Sequence, residues 1–142
     1  MWDKTGRFHM DKMYCDSTTE GLYEDYWIAS QNYIGEGFIA ELESRVPVIG
    51  VELRNTHNSN HKDRSTKKFR VSIGSSKTGP WTELLTKDLV DSRYQTTPPV
   101  QVFLGDEAVY GRFIKFDLLG FYGKGGGLNY FDVITAASGV YL

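Results

Sequence analysis

Residues 112–119 read RFIKFDLL, the strongest β-strand pattern in the chain. In an extended strand successive side chains point to opposite faces, so Ile114, Phe116 and Leu118 fall on one face. A helix would instead need apolar residues at intervals of three and four, a spacing that the chain does not sustain. This stretch therefore predicts a half-buried strand.

Segments of the same kind recur on both sides of this stretch and are joined by clusters of Gly, Pro, Asn and Ser. Within residues 48–54, for example, Ile49, Val51 and Leu53 are expected to share one face. Many short strands with such connections predict an all-β fold, an antiparallel β-sandwich or jelly roll. The segments are 38–42 (FIAEL), 48–54 (VIGVELR), 69–73 (FRVSI), 100–104 (VQVFL) and 130–135 (YFDVIT).

The length and composition fit one globular domain spanning residues 1–142. Hydrophobic residues make up 40 %, aromatic residues 14 % and charged residues 24 % of the chain, which is typical of a globular protein. Lys and Arg number 16 against 18 Asp and Glu, so the chain has no excess of positive charge to bind nucleic acid or anionic lipid. We therefore expect no nucleic-acid partner and no membrane insertion.

The order and spacing of the segments resemble the discoidin domains, also called coagulation factor V/VIII type C domains. The resemblance covers roughly residues 22–135 and implies a galactose-binding-like jelly roll with Trp27 and Trp81 in its core. It also implies a binding module whose ligand contacts lie in loops at one end. The matching segments are YWIA (26–29), GFIAEL (37–42), TKKFRVSIG (66–74), GPWT (79–82) and RFIKF (112–116).

Two features depart from that family's pattern. Extracellular members pair a cysteine near each end, whereas Cys15 is the single cysteine here, so no internal disulfide can form. Calcium-binding members carry a carboxylate in the closing strand, where this chain has Tyr130. We therefore expect no metal and no cofactor. A calcium site remains an alternative because hard cations need several oxygen ligands, and its candidate ligands are Asp16, Glu20, Asp25 and Asp132.

The loop at residues 55–66 (NTHNSNHKDRST) is the richest in polar side chains. Its amide, imidazole and guanidinium groups offer donors and acceptors for a sugar's hydroxyls or a partner's backbone. The alternative is a solvated turn in which Asp63 and Arg64 form a structural salt bridge. His57 and His61 stand four residues apart, but the residues between them disfavour a helix, so zinc is not expected. The ligand-binding candidates here are Asn55, His57, Asn58, Asp63 and Arg64.

Two further loops each carry an aromatic candidate. Tyr33 lies in residues 30–37 (SQNYIGEG) and Tyr122 in residues 120–129 (GFYGKGGGLN). Either ring could stack on the apolar face of a sugar, although ordinary packing is an equal alternative. The glycines after Tyr122 match no phosphate-binding motif; we expect them to adopt positive φ or to allow a close backbone approach.

Catalysis has little support in the sequence, which holds no Gly-x-Ser-x-Gly motif and no carboxylate pair in an apolar setting. We expect a non-catalytic module that binds a carbohydrate or a protein surface. The alternative is a structural accessory subunit of a larger intracellular assembly, favoured by the lone Cys15 and by the lack of a secretory signal or glycosylation sequon. The location is expected to be intracellular if Met1 is native and extracellular if the chain is an excised domain.

Overall fold

The computed structural model describes residues 8–15, 21–22, 27–29, 31–32, 34–35, 37–57 and 62–136. All regular structure in these residues is β, which confirms the predicted all-β class. None of the described residues forms a helix long and apolar enough to cross a membrane. The strands are β1 (Phe8–Cys15), β2 (Gly21–Leu22), β3 (Trp27–Ile28), β4 (Gly37–Asn55), β5 (Arg64–Gly74), β6 (Trp81–Asp88), β7 (Val100–Gly123) and β8 (Gly127–Thr135).

The strands pair antiparallel in the order β2-β3-β8-β4-β7-β5-β6, and β1 adds to β4. β4 and β7 are long because they run together through both layers of a sandwich. Residues 37–48 of β4 pair with residues 109–117 of β7, and residues 50–54 pair with residues 100–104. The register shifts between these two stretches, at the point where the paired strands bend. The segments predicted as separate strands at 38–42 and 48–54 are therefore one strand.

The core between the two layers is built around aromatic rings. Phe116 of β7 stacks on Phe38 and Phe69, with ring centroids 5.1 and 5.5 Å away. Phe131 of β8 meets Phe38 edge-on at 5.2 Å, which brings the second layer against the first. Trp27 contributes a further edge contact to Phe116 at 5.5 Å. These rings are all fully buried, so the resemblance's placement of Trp27 in the core is confirmed.

The predicted inward faces are confirmed for three segments of the sandwich. Each buries its alternate apolar side chains, as period-two patterning requires. The residues are Phe38, Ala40 and Leu42 of β4, Phe69, Val71 and Ile73 of β5, and Ile114, Phe116 and Leu118 of β7.

Two predicted core positions were wrong. Ile49 lies half-buried outside the core because the register shifts between Val48 and Gly50, and Val48 is buried in its place. Trp81 pairs with Gly74, next to the inward-facing Ile73. Its side chain is therefore on the outer face, where the Lys115 ammonium lies 5.6 Å from the indole.

Several chain segments converge at one end of the sandwich, which we call the loop end. Its described residues are 29, 31–32, 34–35, 56–57, 62–63, 89–99 and 124–126. Backbone hydrogen bonds join these segments to each other. Ala29 N donates to Gly126 O at 3.1 Å, and Lys124 N donates to Asp63 O at 2.7 Å. Asn32 N donates to Lys124 O at 2.7 Å. Segments distant in sequence are thus fixed beside one another. Binding residues are common on loops that a rigid sheet holds in this way.

Candidate functional site

Asn55, the last residue of β4, lies at the centre of the loop end and is buried. Its Nδ2 lies within 3.1 Å of three acceptors: Ser65 Oγ, Thr66 O and Val90 O. Its Oδ1 accepts from the backbone N–H groups of Thr56 and Thr66 at 2.9 Å. One amide therefore joins β4, β5 and residues 89–99. A ligand could use this amide only by displacing an internal hydrogen bond.

Arg64, the first residue of β5, is likewise turned inward and only 3 % exposed. Its Nη1 lies 2.8 Å from Asp63 Oδ2, which confirms the expected salt bridge. Its Nε donates to Ala29 O at 3.4 Å, so the guanidinium also holds the segment after β3. Since burial leaves little of this side chain open to solvent, the visible role of Arg64 is to fix the loops around it.

His57 follows β4 and is half-buried. Its backbone oxygen accepts from Asn129 Nδ2 at 3.5 Å, and Asn129 Oδ1 accepts from Thr56 Oγ1 at 2.9 Å. Its Nδ1 is buried and has no hydrogen-bond partner among the described residues. The imidazole thus retains a polar atom that no described residue satisfies. The other predicted contacts Asn58 and Tyr33, and also His61, lie outside the described residues.

Tyr122, near the end of β7, is half-buried at the loop end. Its hydroxyl donates to Leu89 O at 3.0 Å, which ties the ring to the segment after β6. The Lys67 ammonium lies 5.6 Å from the ring centroid. The ring is therefore held in place on both sides while part of it stays open to solvent.

Tyr94 was not among the predicted site residues, although it is the most exposed large apolar or aromatic side chain described, at 69 %. The Lys62 ammonium and the Arg93 guanidinium lie 5.6 and 5.5 Å from its ring centroid. Residues 91–97 (DSRYQTT) show no strand periodicity, so period-two patterning does not predict a role for this ring. The available signal was a single aromatic residue within a polar connection.

Arg93 is held rigidly beside that ring. Its Nε and Nη2 form a forked contact with both carboxylate oxygens of Asp91, at 2.8 to 3.1 Å. The backbone N–H of Arg93 donates to the same carboxylate at 3.0 Å. The side-chain hydrogen bond from Arg93 lowers the pKa of Asp91 below its ordinary value, so the pair stays ionised at neutral pH. A guanidinium fixed in this way loses little rotamer freedom on binding a ligand.

Gly123 allows the neighbouring loop to pack against this arginine. Its φ is +75°, and a Cβ there would lie 2.7 Å from Asp63 O and 3.0 Å from Arg93 Cδ. The expectation of positive φ in the glycine-rich segment is thus confirmed at this position. A continuous surface results, which we call the Tyr94 surface: Lys62, Asp91, Arg93, Tyr94, Gly123 and Lys124.

A small cavity of about 130 Å³ lies close to the Tyr94 surface. Polar side chains and two prolines surround it, so it offers amide groups next to an exposed ring. Its lining residues are Asn55, Val90, Ser92, Gln95, Pro98, Pro99 and Gln101.

The carboxylates considered for calcium do not gather into a metal site in the described part of the chain. No group of three or more His, Cys, Asp or Glu there could hold a metal ion. Asp132 is buried, and its oxygens accept from Val133 N at 2.8 Å and from the Tyr130 hydroxyl at 3.4 Å. The same hydroxyl lies 2.8 Å from Glu52 Oε1. Burial, followed by this hydrogen bond, raises the pKa of Tyr130. The remaining candidates Asp16, Glu20 and Asp25 lie outside the described residues.

Comparison with known proteins identifies the fold. No protein-family profile matches the chain, and no curated protein does. Among solved structures, the family 32 carbohydrate-binding module (CBM32) of C. perfringens NanJ in complex with galactose superposes with a TM-score of 0.64 at 12 % identity, over 87 % of this chain and 93 % of that chain.

Two further carbohydrate-binding modules superpose with similar TM-scores and coverage. CBM32-3 from a family 31 glycoside hydrolase of Clostridium perfringens has a TM-score of 0.66 at 9 % identity, covering 92 % of this chain and 95 % of that one. The CBM32 of AlyQ in complex with 4,5-unsaturated mannuronic acid has a TM-score of 0.63 at 19 % identity, covering 90 % and 97 %. The chain thus has the galactose-binding-like β-sandwich fold that discoidin domains share, which confirms the predicted fold.

Proposed function

We propose that this chain is a non-catalytic carbohydrate-binding module that takes its ligand on the Tyr94 surface. The observation that carries the proposal is an exposed ring beside a rigidly held guanidinium, at the end of the sandwich where four segments converge. Side chains that are both exposed and held in place can bind a ligand with little loss of conformational entropy.

The chemistry of this surface suits a sugar. The exposed ring of Tyr94 offers an apolar face on which the C–H face of a pyranose can stack. The N–H groups of Arg93 that Asp91 does not occupy can donate to ring hydroxyls. Gln95 lines the adjoining cavity and supplies both a donor and an acceptor. Stacking and directed hydrogen bonding together are what recognition of a small polar ring requires.

The earlier candidates divide into two roles in this proposal. Asn55, Asp63 and Arg64 act as positioning residues, because their polar atoms bond within the protein. His57 and Tyr122 remain proposed contacts. The His57 ring has a nitrogen without a partner among the described residues, and the Tyr122 ring is partly open to solvent. Asn58 and Tyr33 remain proposed neighbours of the ligand from their places in the sequence.

Solved neighbours support a carbohydrate rather than a protein as the ligand. Their complexes contain galactose, GalNAc-β-1,3-galactose and 4,5-unsaturated mannuronic acid. We also propose kinship with the discoidin domains, which rests on the ordered sequence segments and on the shared fold. The sugars bound by the solved neighbours include neutral and acidic ones. The fold alone therefore does not indicate whether this chain prefers a neutral or an acidic sugar.

The structure favours one second candidate, docking of the chain into a protein assembly. Val100, Val102 and Leu104 alternate along β7 and are 43 %, 57 % and 53 % exposed. An exposed apolar row on a sheet suits a protein contact. In that case the row, and not the loop end, would carry binding.

A glycan array with matched variants tests the proposal. Tyr94→Ala should weaken glycan binding by about 1 to 2 kcal/mol, roughly five- to thirtyfold, through loss of the stacking ring. Tyr110→Ala is the control, because Tyr110 is also exposed, at 57 %, and has the Arg45 guanidinium 4.9 Å from its ring. Tyr110 pairs with Pro47 at the opposite end.

The control variant should keep the wild-type glycan profile, and both variants should keep the wild-type melting temperature. Wild-type glycan binding by Tyr94→Ala would contradict the assignment of this surface. A wild-type chain that binds no glycan, together with a Val102→Asp variant that loses protein partners, would favour the second candidate.

A further inference from the structure

We propose that the preferred ligand is an acidic sugar, one that carries a carboxylate or a sulfate. The inference rests on the proposed function, because it names the class of glycan that the Tyr94 surface takes. It comes from the distribution of charge at the loop end.

Charge at the loop end has the opposite sign to charge on the whole chain. The loop end counted together with the residues that flank it (30–37, 55–67, 89–99 and 120–129) holds five Lys and Arg against three Asp and Glu, whereas the chain holds 16 against 18. A local excess of one sign raises the concentration of oppositely charged ligands at that surface. The loop end therefore attracts anions although the protein is slightly acidic.

The two described carboxylates of these segments are already engaged. Asp63 lies 2.8 Å from Arg64, and Asp91 lies 2.8 Å from Arg93. These contacts neutralise the two arginines and leave the lysines of the same segments without a carboxylate partner within the described residues. The lysines are exposed, and they are Lys62, Lys67 and Lys124.

Two of these lysines lie beside the rings that a sugar would contact, and the backbone of the third is hydrogen-bonded to the residue that follows Lys62. The Lys62 ammonium is 5.6 Å from the Tyr94 ring, and the Lys67 ammonium is 5.6 Å from the Tyr122 ring. The Lys124 backbone N–H donates to the oxygen of Asp63, the residue after Lys62. An acidic group on a sugar stacked at Tyr94 would thus meet ammonium groups that have no carboxylate partner among the described residues, and would form charge-assisted hydrogen bonds with them. A neutral sugar would gain no such contacts.

The aromatic surface at Trp81 provides a contrast. There Arg70 and Lys115 both approach one carboxylate, Asp117, at 3.3 and 3.8 Å, and Glu83 lines the same depression. The cations beside this indole are therefore balanced by acids, which gives no preference for an anion. The Tyr94 surface differs from the Trp81 surface because the lysine beside its exposed ring has no carboxylate partner among the described residues.

Calorimetric titration with matched oligosaccharides tests the inference. The probes are the α-1,4-linked trisaccharides of galacturonic acid and of galactose, and an O-sulfated form of the galactose trisaccharide. At least one acidic probe should bind about fivefold tighter or more than the neutral probe, and its advantage should shrink between 50 and roughly 500 mM salt. The uronate and sulfate arms show which acid is preferred.

Single substitutions test which lysines cause the preference for acidic over neutral sugars. Lys62→Gln and Lys124→Gln should each reduce the ratio of acidic to neutral affinity by about two- to fivefold, as expected for exposed ion pairs. Lys77→Gln is the control, since Lys77 is exposed in the β5–β6 connection at the opposite end, and its ratio should match that of the wild type. Melting temperatures should confirm that all three variants are folded.

The outcomes separate the two proposals. Neutral binding equal to or tighter than acidic binding overturns the acidic preference and leaves the carbohydrate-binding function standing. A ratio that falls as much in Lys77→Gln as in Lys62→Gln shows non-specific attraction, and also overturns the acidic preference. Failure to bind any sugar on these probes and on the glycan array overturns both.

Discussion

Substitution of Asn55 by Ala should destabilise the protein more than any substitution of a residue that merely touches a ligand. The change removes an amide that lies in hydrogen-bond contact with β4, β5 and residues 89–99. It leaves the carbonyl oxygens of Thr66 and Val90, and the N–H groups of Thr56 and Thr66, without this partner. Since an unsatisfied buried polar group costs about 1 to 3 kcal/mol and some of these groups can find water, the expected loss is about 2 to 4 kcal/mol.

Urea denaturation measures this loss directly, because the free energy of unfolding extrapolates linearly to zero denaturant. The control is Asn129→Ala at the same end of the sandwich. Asn129 is half-buried, and its amide makes two hydrogen bonds, at 2.9 and 3.5 Å. Its loss should therefore stay below about 1 kcal/mol. Hydrogen exchange should also rise in residues 89–99 of Asn55→Ala, since Asn55 Nδ2 donates to Val90 O.

A particular combination of results would refute the positioning role. If Asn55→Ala keeps its free energy of unfolding within about 1 kcal/mol of wild type while its glycan affinity falls more than about tenfold, Asn55 contacts the ligand. The internal bonds of the amide would then be replaceable, and the original assignment of Asn55 as a ligand contact would stand.

Other residues give further predictions. Phe116→Ala should cost about 3 to 5 kcal/mol in urea denaturation, because the ring is fully buried among aromatic neighbours; a loss below about 1 kcal/mol would mean that the strand phase is wrong. Chelator should leave the melting temperature nearly unchanged, because no group of three or more described His, Cys, Asp or Glu residues could hold a metal ion; a fall of many degrees that calcium restores would overturn this. The lowered pKa of Asp91 means that its pairing with Arg93 is present above the carboxyl's ordinary pKa of about 4 and is lost as pH falls through the lowered value. Glycan affinity measured against pH should therefore hold down to about pH 4, and a midpoint near pH 6 would implicate a histidine instead.

Period-two patterning predicted the strands where pairing is regular. The faces of residues 69–73 and 112–119 follow from sequence, because a regular strand gives each side chain one of two directions. Ile49 was misplaced because the register shift that moves it out of the core depends on β7 and β8, which lie far away in sequence. Trp81 was misplaced because the face on which its side chain lies depends on which residue of β5 it pairs with. That residue is Gly74, and the sequence of β6 alone does not show it.

The candidate site was predictable in location but only partly in its residues. Clustered polar groups at residues 55–66 pointed to the loop end, where the proposed Tyr94 surface lies. The partners of Asn55 lie up to 35 residues away, so its inward orientation depends on tertiary contacts. Tyr94 lies in an aperiodic segment, and its exposure follows from how residues 89–99 pack on Gly123 and Asn55.

Backbone-amide NMR titration with the trisaccharides of galactose and of galacturonic acid shows where a sugar binds. The largest shift changes should fall on the Tyr94 surface, at Lys62, Arg93, Tyr94 and Lys124, and the galacturonate trisaccharide should saturate at lower concentration. Shift changes concentrated instead at Val100, Val102 and Leu104, or around Trp81, would contradict the assignment of the Tyr94 surface.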